Sequence, residues 1–145
     1  MKWKNSFWNN MLRTKSQEKP TNLGIGRSGE KIAARYLRSI GYTVTKTNVT
    51  TPCGEMDIVA RDGAYTVFCE VKTIMSEDFG SPLFNITNVK KRTMIRNALF
   101  YMRAKRIYES PCRIDVVAIT LDEKGRMKMI EHVKNAVEIE NENYF

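Results

Sequence analysis

The chain has 145 residues, of which 42% are hydrophobic and 28% charged, and its 24 Lys and Arg outweigh 16 Asp and Glu for a net charge of +8. That length suits one domain with one core. No apolar run approaches the ~20 residues that span a bilayer. Three scattered cysteines (Cys53, Cys69, Cys112), no CxxC pair and a single His132 exclude a zinc set. The positive excess favours anionic partners, nucleic acid first and an anionic membrane surface second. Free, reduced thiols fit a cytoplasmic location. The first eight residues, Met1 to Trp8, are basic but no apolar segment follows, which argues against a signal peptide.

Residues 1–22 differ in composition from the rest. Lys2, Lys4, Arg13, Lys15 and Lys19 face only Glu18, and Pro20 with several Asn, Ser and Thr argues against a core element. This zone reads as a basic arm, with Trp3, Phe7 and Trp8 as aromatic contacts for a partner or for nucleic acid. A single domain, residues 23–145, follows. Ile32, Ala33, Tyr36, Leu37 and Ile40 recur at helical spacing and predict a helix over 24–40, closed by Gly41. Thr- and Val-rich residues 42–49 predict a strand, and Thr51-Pro52-Cys53-Gly54 a turn. Residues 55–61 and 64–73 predict a hairpin turning at Asp62-Gly63. A second helix is expected over 87–107, then a final hairpin of 113–121 and 126–133. The order predicts an α/β fold, with a mixed sheet of an antiparallel meander plus returning strands, flanked by helices.

Strand alternation puts Glu55 and Asp57 on the face shared with Val59, and Glu70 and Lys72 on the face shared with Phe68. With Asp62 and Gly63 as the turn residues, Asp57 faces Phe68 and Glu55 faces Glu70, so all four charged groups share one side. Carboxylates set across strands repel unless a cation compensates them, and the apolar companions Val59 and Phe68 argue against a simple solvent face. Three acids and one lysine predict a divalent-metal site. Glu30 lies on the apolar stripe of the first helix, where an acid needs a partner. Beside a metal site it becomes a candidate ligand. From Phe79 through Tyr108 the chain carries seven basic residues and no acid. Arg92, Arg96 and Arg103 align on one helix face opposite Met94, Ile95, Ala98 and Met102. Together with Lys90 and Lys91, this unmixed stripe suits a phosphate backbone.

An acid followed after about a dozen residues by Glu-x-Lys resembles the PD-(D/E)XK nuclease superfamily. The local motifs more closely resemble a small bacterial group within it, the YraN family. They are Gly29-Glu30 with Ala33 and Tyr36-Leu37, Gly54-Glu55-Met56-Asp57, Phe68-Cys69-Glu70-Val71-Lys72, Phe79-Gly80-Ser81-Pro82, and Arg113-Ile114-Asp115-Val116-Val117 with Glu131-His132. The resemblance spans about residues 23 to 139. It implies a restriction-endonuclease-like core similar to small Holliday-junction resolvases. It also implies that Asp57, Glu70 and Lys72 are the active-site acids and lysine, with Glu30 supplied by the first helix. An arginine common after Glu-x-Lys-Thr in the family is replaced here by Ile74.

The expected activity is Mg²⁺- or Mn²⁺-dependent endonucleolytic hydrolysis of phosphodiester bonds, with DNA junctions among the candidate substrates. Asp57, Glu70 and Glu30 are the metal ligands of this reading, since hard cations take oxygen donors. Lys90, Lys91, Arg92, Arg96 and Arg103 bind nucleic acid. Junction resolution would favour a homodimer, and no membrane partner is expected. One alternative is a nucleic-acid-binding module of the same fold that cuts little or not at all. Another is a protein-interaction subunit docking through its N-terminal arm. Arg113 and Asp115 are expected to pair structurally, and His132 is assigned no catalytic role.

Overall fold

A computed structural model describes residues 2–3, 22–76 and 86–139. Its elements in chain order are β1 (Lys2–Trp3), α1 (Asn22–Ser39), β2 (Thr43–Thr51), β3 (Gly54–Asp62), β4 (Tyr65–Met75), α2 (Asn88–Ala104), β5 (Cys112–Leu121) and β6 (Met127–Val137). The sheet order is β1-β6-β5-β4-β3-β2. Every neighbouring pair is antiparallel except β4 and β5. That parallel pair is joined through α2, as a crossover connection requires. The class is the expected α/β, with a mixed sheet between helices, consistent with a restriction-endonuclease-like core.

Period-two alternation divides the core between the two faces. Ile58, Ala60, Val67, Cys69, Val117 and Ile119 pack under α1 against Ile32, Ala33 and Leu37. Val59, Phe68, Ile114 and Val116 pack under α2 against Met94, Ile95, Ala98 and Met102. The central strands are buried on both sides, which is why β4 and β5 read as nearly continuous apolar runs. Gly29 permits the close approach of α1 to β4. A Cβ built there would lie 1.8 Å from Oγ1 of Thr73. That contact seats the first helix where its next residue, Glu30, reaches the end of β4.

Three expectations on the elements change. The hairpin turns at Gly63 and Ala64, because Asp62 pairs with Tyr65 and Val59 with Phe68. Gly63 has φ 58° as first central residue, which primed two-residue turns demand. Asp57 therefore does not face Phe68. The second helix stops at Ala104, since Arg106 takes φ 57°. Finally, part of the expected arm belongs to the sheet, with Lys2 opposite Glu131 and Trp3 opposite Ile130. The rest of the arm, 4–21 and with it Phe7 and Trp8, lies outside the described residues, as does the Phe79–Pro82 motif. Among the described residues no helix is long and apolar enough to cross a membrane.

Candidate active site

The site arises where the sheet splays. The β3–β4 ladder runs from Asp62↔Tyr65 to Ile58↔Cys69 and then stops, while β4 continues alongside β5 as far as Met75. Beyond Cys69 the β3-facing edge of β4 has lost its backbone partner. The amide of Val71 is satisfied instead by a side chain, donating to Oδ2 of Asp57 at 2.8 Å. An orphaned edge amide thus fixes the Asp57 carboxylate in the gap between the strands. Glu55 is exposed and is not set against Glu70, because the ladder ends before it.

Glu70 is buried, at 8% exposure. Its Oε1 receives two ammonium groups, Lys90 at 3.1 Å and Lys72 at 3.6 Å. Lys72 comes from the same strand face two residues on. Lys90 comes from the first turn of α2, which is capped by Thr87 Oγ1 accepting from the Lys90 amide at 3.1 Å. Lys90 was expected to bind nucleic acid, and its place against Glu70 puts it inside the site as well. Lys91, Arg92, Arg96 and Arg103 are exposed on the outer side of α2. The apolar face of that helix is buried as its spacing predicted.

Asp57 is the perturbed group. Burial and then the charge of Glu70 push its carboxyl up to about 7, against the pull of the Val71 amide, and Glu30 adds further repulsion. Glu30 is half-buried on α1 and lines a groove with Ile25, Gly26, Val71, Thr73 and Ile74. The structure therefore brings Asp57 and Glu70 together, with Glu30 near enough to bear on Asp57. Among the described residues, no three His, Cys, Asp or Glu side chains form a group that could enclose an ion on their own. The donor set still fits a hard divalent cation: Asp57, whose charge burial and Glu70 disfavour, beside the Glu70 carboxylate, both offering oxygen. Asp57 and Glu70 would hold it, with water or phosphate completing the shell.

Two features escaped the sequence reading. Asn97, 1% exposed, accepts from the Thr51 hydroxyl and donates to the Glu55 carbonyl at 3.4 Å. It ties α2 to the β2–β3 turn, and its signal was an amide on the apolar stripe next to Ala98. The second is a buried network on the α1 face. Asp115 accepts from Arg113 Nε at 2.9 Å and from the Asn135 amide at 3.0 Å, and pairs with His132 Nε2 at 2.8 Å. The expected Arg113–Asp115 pair is therefore present, and His132 is a buried member of it. The Tyr36 hydroxyl lies 3.2 Å from the other His132 nitrogen. Tyr42 and Asp62 also contact Arg113. The three thiols are free, with Cys53 exposed and Cys69 buried.

Comparison with known proteins gives the family. The model of Uncharacterised protein family UPF0102 matches residues 29–119, which include Glu30, Asp57, Glu70, Lys72 and all of α2. A UPF0102 protein of Geotalea uraniireducens is 39% identical over 125 residues, covering 86% of this chain and 98% of that one. A UPF0102 protein of Dehalococcoides mccartyi is 40% identical over 112 residues, covering 77% and 91%. One of Thermodesulfovibrio yellowstonii is also 40% identical, covering 77% and 94%. With a family model over most of the domain and relatives matched nearly end to end, the chain belongs to the UPF0102 family, the YraN family that its motifs resemble.

Proposed function

We propose that this protein is a Mg²⁺- or Mn²⁺-dependent endonuclease acting on nucleic acid, DNA in the first instance and branched DNA among its substrates. The observation that carries the reading is the Asp57–Glu70 pair, in which burial and mutual repulsion hold the Asp57 carboxyl at about 7. A structural carboxylate is normally compensated by its neighbours, whereas a poised one in a strand gap suits a ligand or a proton acceptor. When bound, a divalent ion supplies Lewis-acid polarisation of a phosphodiester oxygen and lowers the pKa of a bound water. The residues do the rest. Asp57 is oriented by the Val71 amide, and Glu70 by Lys72 and Lys90. Lys72 cannot ligate a metal while protonated, so its part is to stabilise charge on the phosphate under attack and to orient water. The basic face of α2 holds the backbone beside the site.

The test is cleavage and metal binding together. Calorimetric titration with Mn²⁺ should show binding that Asp57→Asn weakens sharply, and equal heats from both proteins would reject the site. Lys72→Ala should fold and bind DNA, yet cut junctions, flaps, single strands or duplex at least ~10²-fold more slowly. Wild type that cuts none of these with either metal would sink the enzyme reading. A second reading, a nucleic-acid-binding module that cuts little, is favoured by one observation: both lysines already occupy the same oxygen of Glu70. Activity lost on neither Lys72→Ala nor Glu70→Ala would point to a contaminant and leave that reading standing.

A further inference from the structure

Lys46 on β2 and Lys105, the C-cap residue of α2, converge on one aromatic ring. Their ammonium nitrogens stand 5.9 and 5.8 Å from the centroid of Tyr101. The ring itself is fixed edge-on against Phe68, with centroids 5.5 Å apart. The two lysines also meet each other, and contact with Lys105 lowers the proton affinity of Lys46. Among the described residues neither lysine makes an ion pair. Both are exposed on long flexible stems and are free to separate into solvent. The negative end of the α2 dipole and the face of Tyr101 account for Lys105. The same ring holds Lys46, from β2, and two like charges gathered there, with no acid paired to them among the described residues, repel unless an anion lies between them.

We propose that Lys46 and Lys105, gathered over Tyr101, form a binding site for a backbone phosphate of nucleic acid, separate from the Asp57–Glu70 pair. The setting matches that chemistry. No acid occurs in α2, and Arg96, Phe100 and Arg103 are exposed on its adjoining outer face. Lys46 is opposite Val59 in the β2–β3 ladder, two residues from Asp57, and Tyr101 rests on Phe68, two residues from Glu70, so the lysine pair flanks the candidate site on the α2 face of the sheet. A strand held at the candidate site would be gripped a second time by Lys46 and Lys105. This inference rests on the nucleic-acid reading above and adds to it two further contacts.

The experiment measures binding of a fluorescent ~20-base-pair duplex in EDTA, over a range of salt, by wild type and by the Lys46→Gln/Lys105→Gln double variant. Removing one phosphate contact should flatten the plot of log K against log salt by ~0.9 and weaken binding about 5- to 10-fold at 0.1 M salt. The Lys46→Arg/Lys105→Arg variant should bind like wild type. Thermal stability of the Gln variant should be unchanged or higher, because a repulsion is removed. A merely structural role would lower it. Lysine side-chain NMR signals followed with inorganic phosphate separate the sources of the anion. If phosphate shifts Lys46 and Lys105 while DNA affinity is indifferent to both, the site serves a free anion and the proposal falls. An unchanged slope in the Gln variant, beside a wild type that does bind DNA, overturns the proposal alone. Wild type that binds no nucleic acid overturns it together with the nuclease reading.

Discussion

Asp57 and Asp115 lie on the two strands that flank β4: Ile58, the residue after Asp57 in β3, is opposite Cys69 on one edge, and Asp115 of β5 is opposite Cys69 on the other. Their surroundings push them in opposite directions. Asp115 is 0% exposed, and burial alone would raise its pKa. His132, Arg113 and the Asn135 amide overcome that, and its carboxyl is held below the usual range. Asp57 has one amide, from Val71, and burial and then the neighbouring Glu70 carboxylate raise its carboxyl to about 7. Between them the Cys69 thiol is pushed well up, first by burial and then by Asp115, Asp57 and Glu70. Both acids are expensive to place in a sheet. The fully compensated one explains itself as structure. The other has lone pairs to spare, and that difference is what supports the proposed role of Asp57 as a metal ligand.

The comparison breaks most visibly at the compensated acid. Asp115→Ala leaves the guanidinium of Arg113 and the imidazole of His132 facing a hole, with the Asn135 amide unpaired. Removing one partner from a buried charge network costs about 3–5 kcal/mol. Urea denaturation should show that loss at neutral pH. The carboxylate of Asp115 titrates below its unfolded value, so the stability it contributes is complete above the ordinary carboxylate range and disappears on acidification. A loss under ~1 kcal/mol would mean that the network is solvated and that the contrast with Asp57 is false.

Much of this contrast is legible in the sequence. The alternation of Val59 with Asp57 and of Phe68 with Glu70 located the acids, and the Arg113–Asp115 pairing followed from one strand face. The facing of Asp57 was not readable, because register depends on which residues turn. Gly63 can serve as the second residue of one two-residue turn or the first of another, and only packing chooses. Nor was the splaying of β3 from β4, which is a tertiary matter: the ladder ends where α1 and α2 bring in their own groups. Lys90 reads as one member of a basic stripe, although its position roughly 160° around the helix from Arg92 separates it from that face. The buried network of His132 is not legible in the sequence because its partners, Asp115 and Tyr36, are 17 and 96 residues away.

The second test turns on proton linkage at Asp57. In metal-free protein the folded state holds a proton on Asp57 up to about pH 7, whereas the unfolded chain releases it in the ordinary carboxylate range. The folded state therefore binds more protons in that window, and this group's contribution to stability falls as pH rises through it. Asp57→Asn keeps the acceptor for the Val71 amide and removes the titration. It should be more stable than wild type at pH 8 by ~1–3 kcal/mol, with solvent screening of the half-buried site taken into account, and equal to it near pH 4. Thermal melts across that range would show it. A variant less stable than wild type at pH 8 would put Asp57 beside Asp115 as a structural acid.

The smallest expected effect sharpens the role of Lys90. Thr87 caps α2 by accepting from the Lys90 amide, so Thr87→Ala should cost about 1 kcal/mol and fray the first turn. That turn holds the Lys90 ammonium 3.1 Å from Glu70, closer than Lys72 at 3.6 Å. A cation already on the Glu70 oxygen competes with any metal for it. Fraying should loosen the competitor, so Mn²⁺ should bind Thr87→Ala about 2- to 3-fold more tightly even as its urea midpoint falls. Thr87→Ser restores the cap and should return both readings to wild type. Thr87→Asp also restores the cap, but its new charge draws Lys90 away from Glu70, so it should regain stability and keep the tighter metal binding. If Mn²⁺ affinity instead follows stability through the whole series, Lys90 is not competing at Glu70, and its ammonium belongs with Lys91 and Arg92 as a contact for the nucleic-acid backbone.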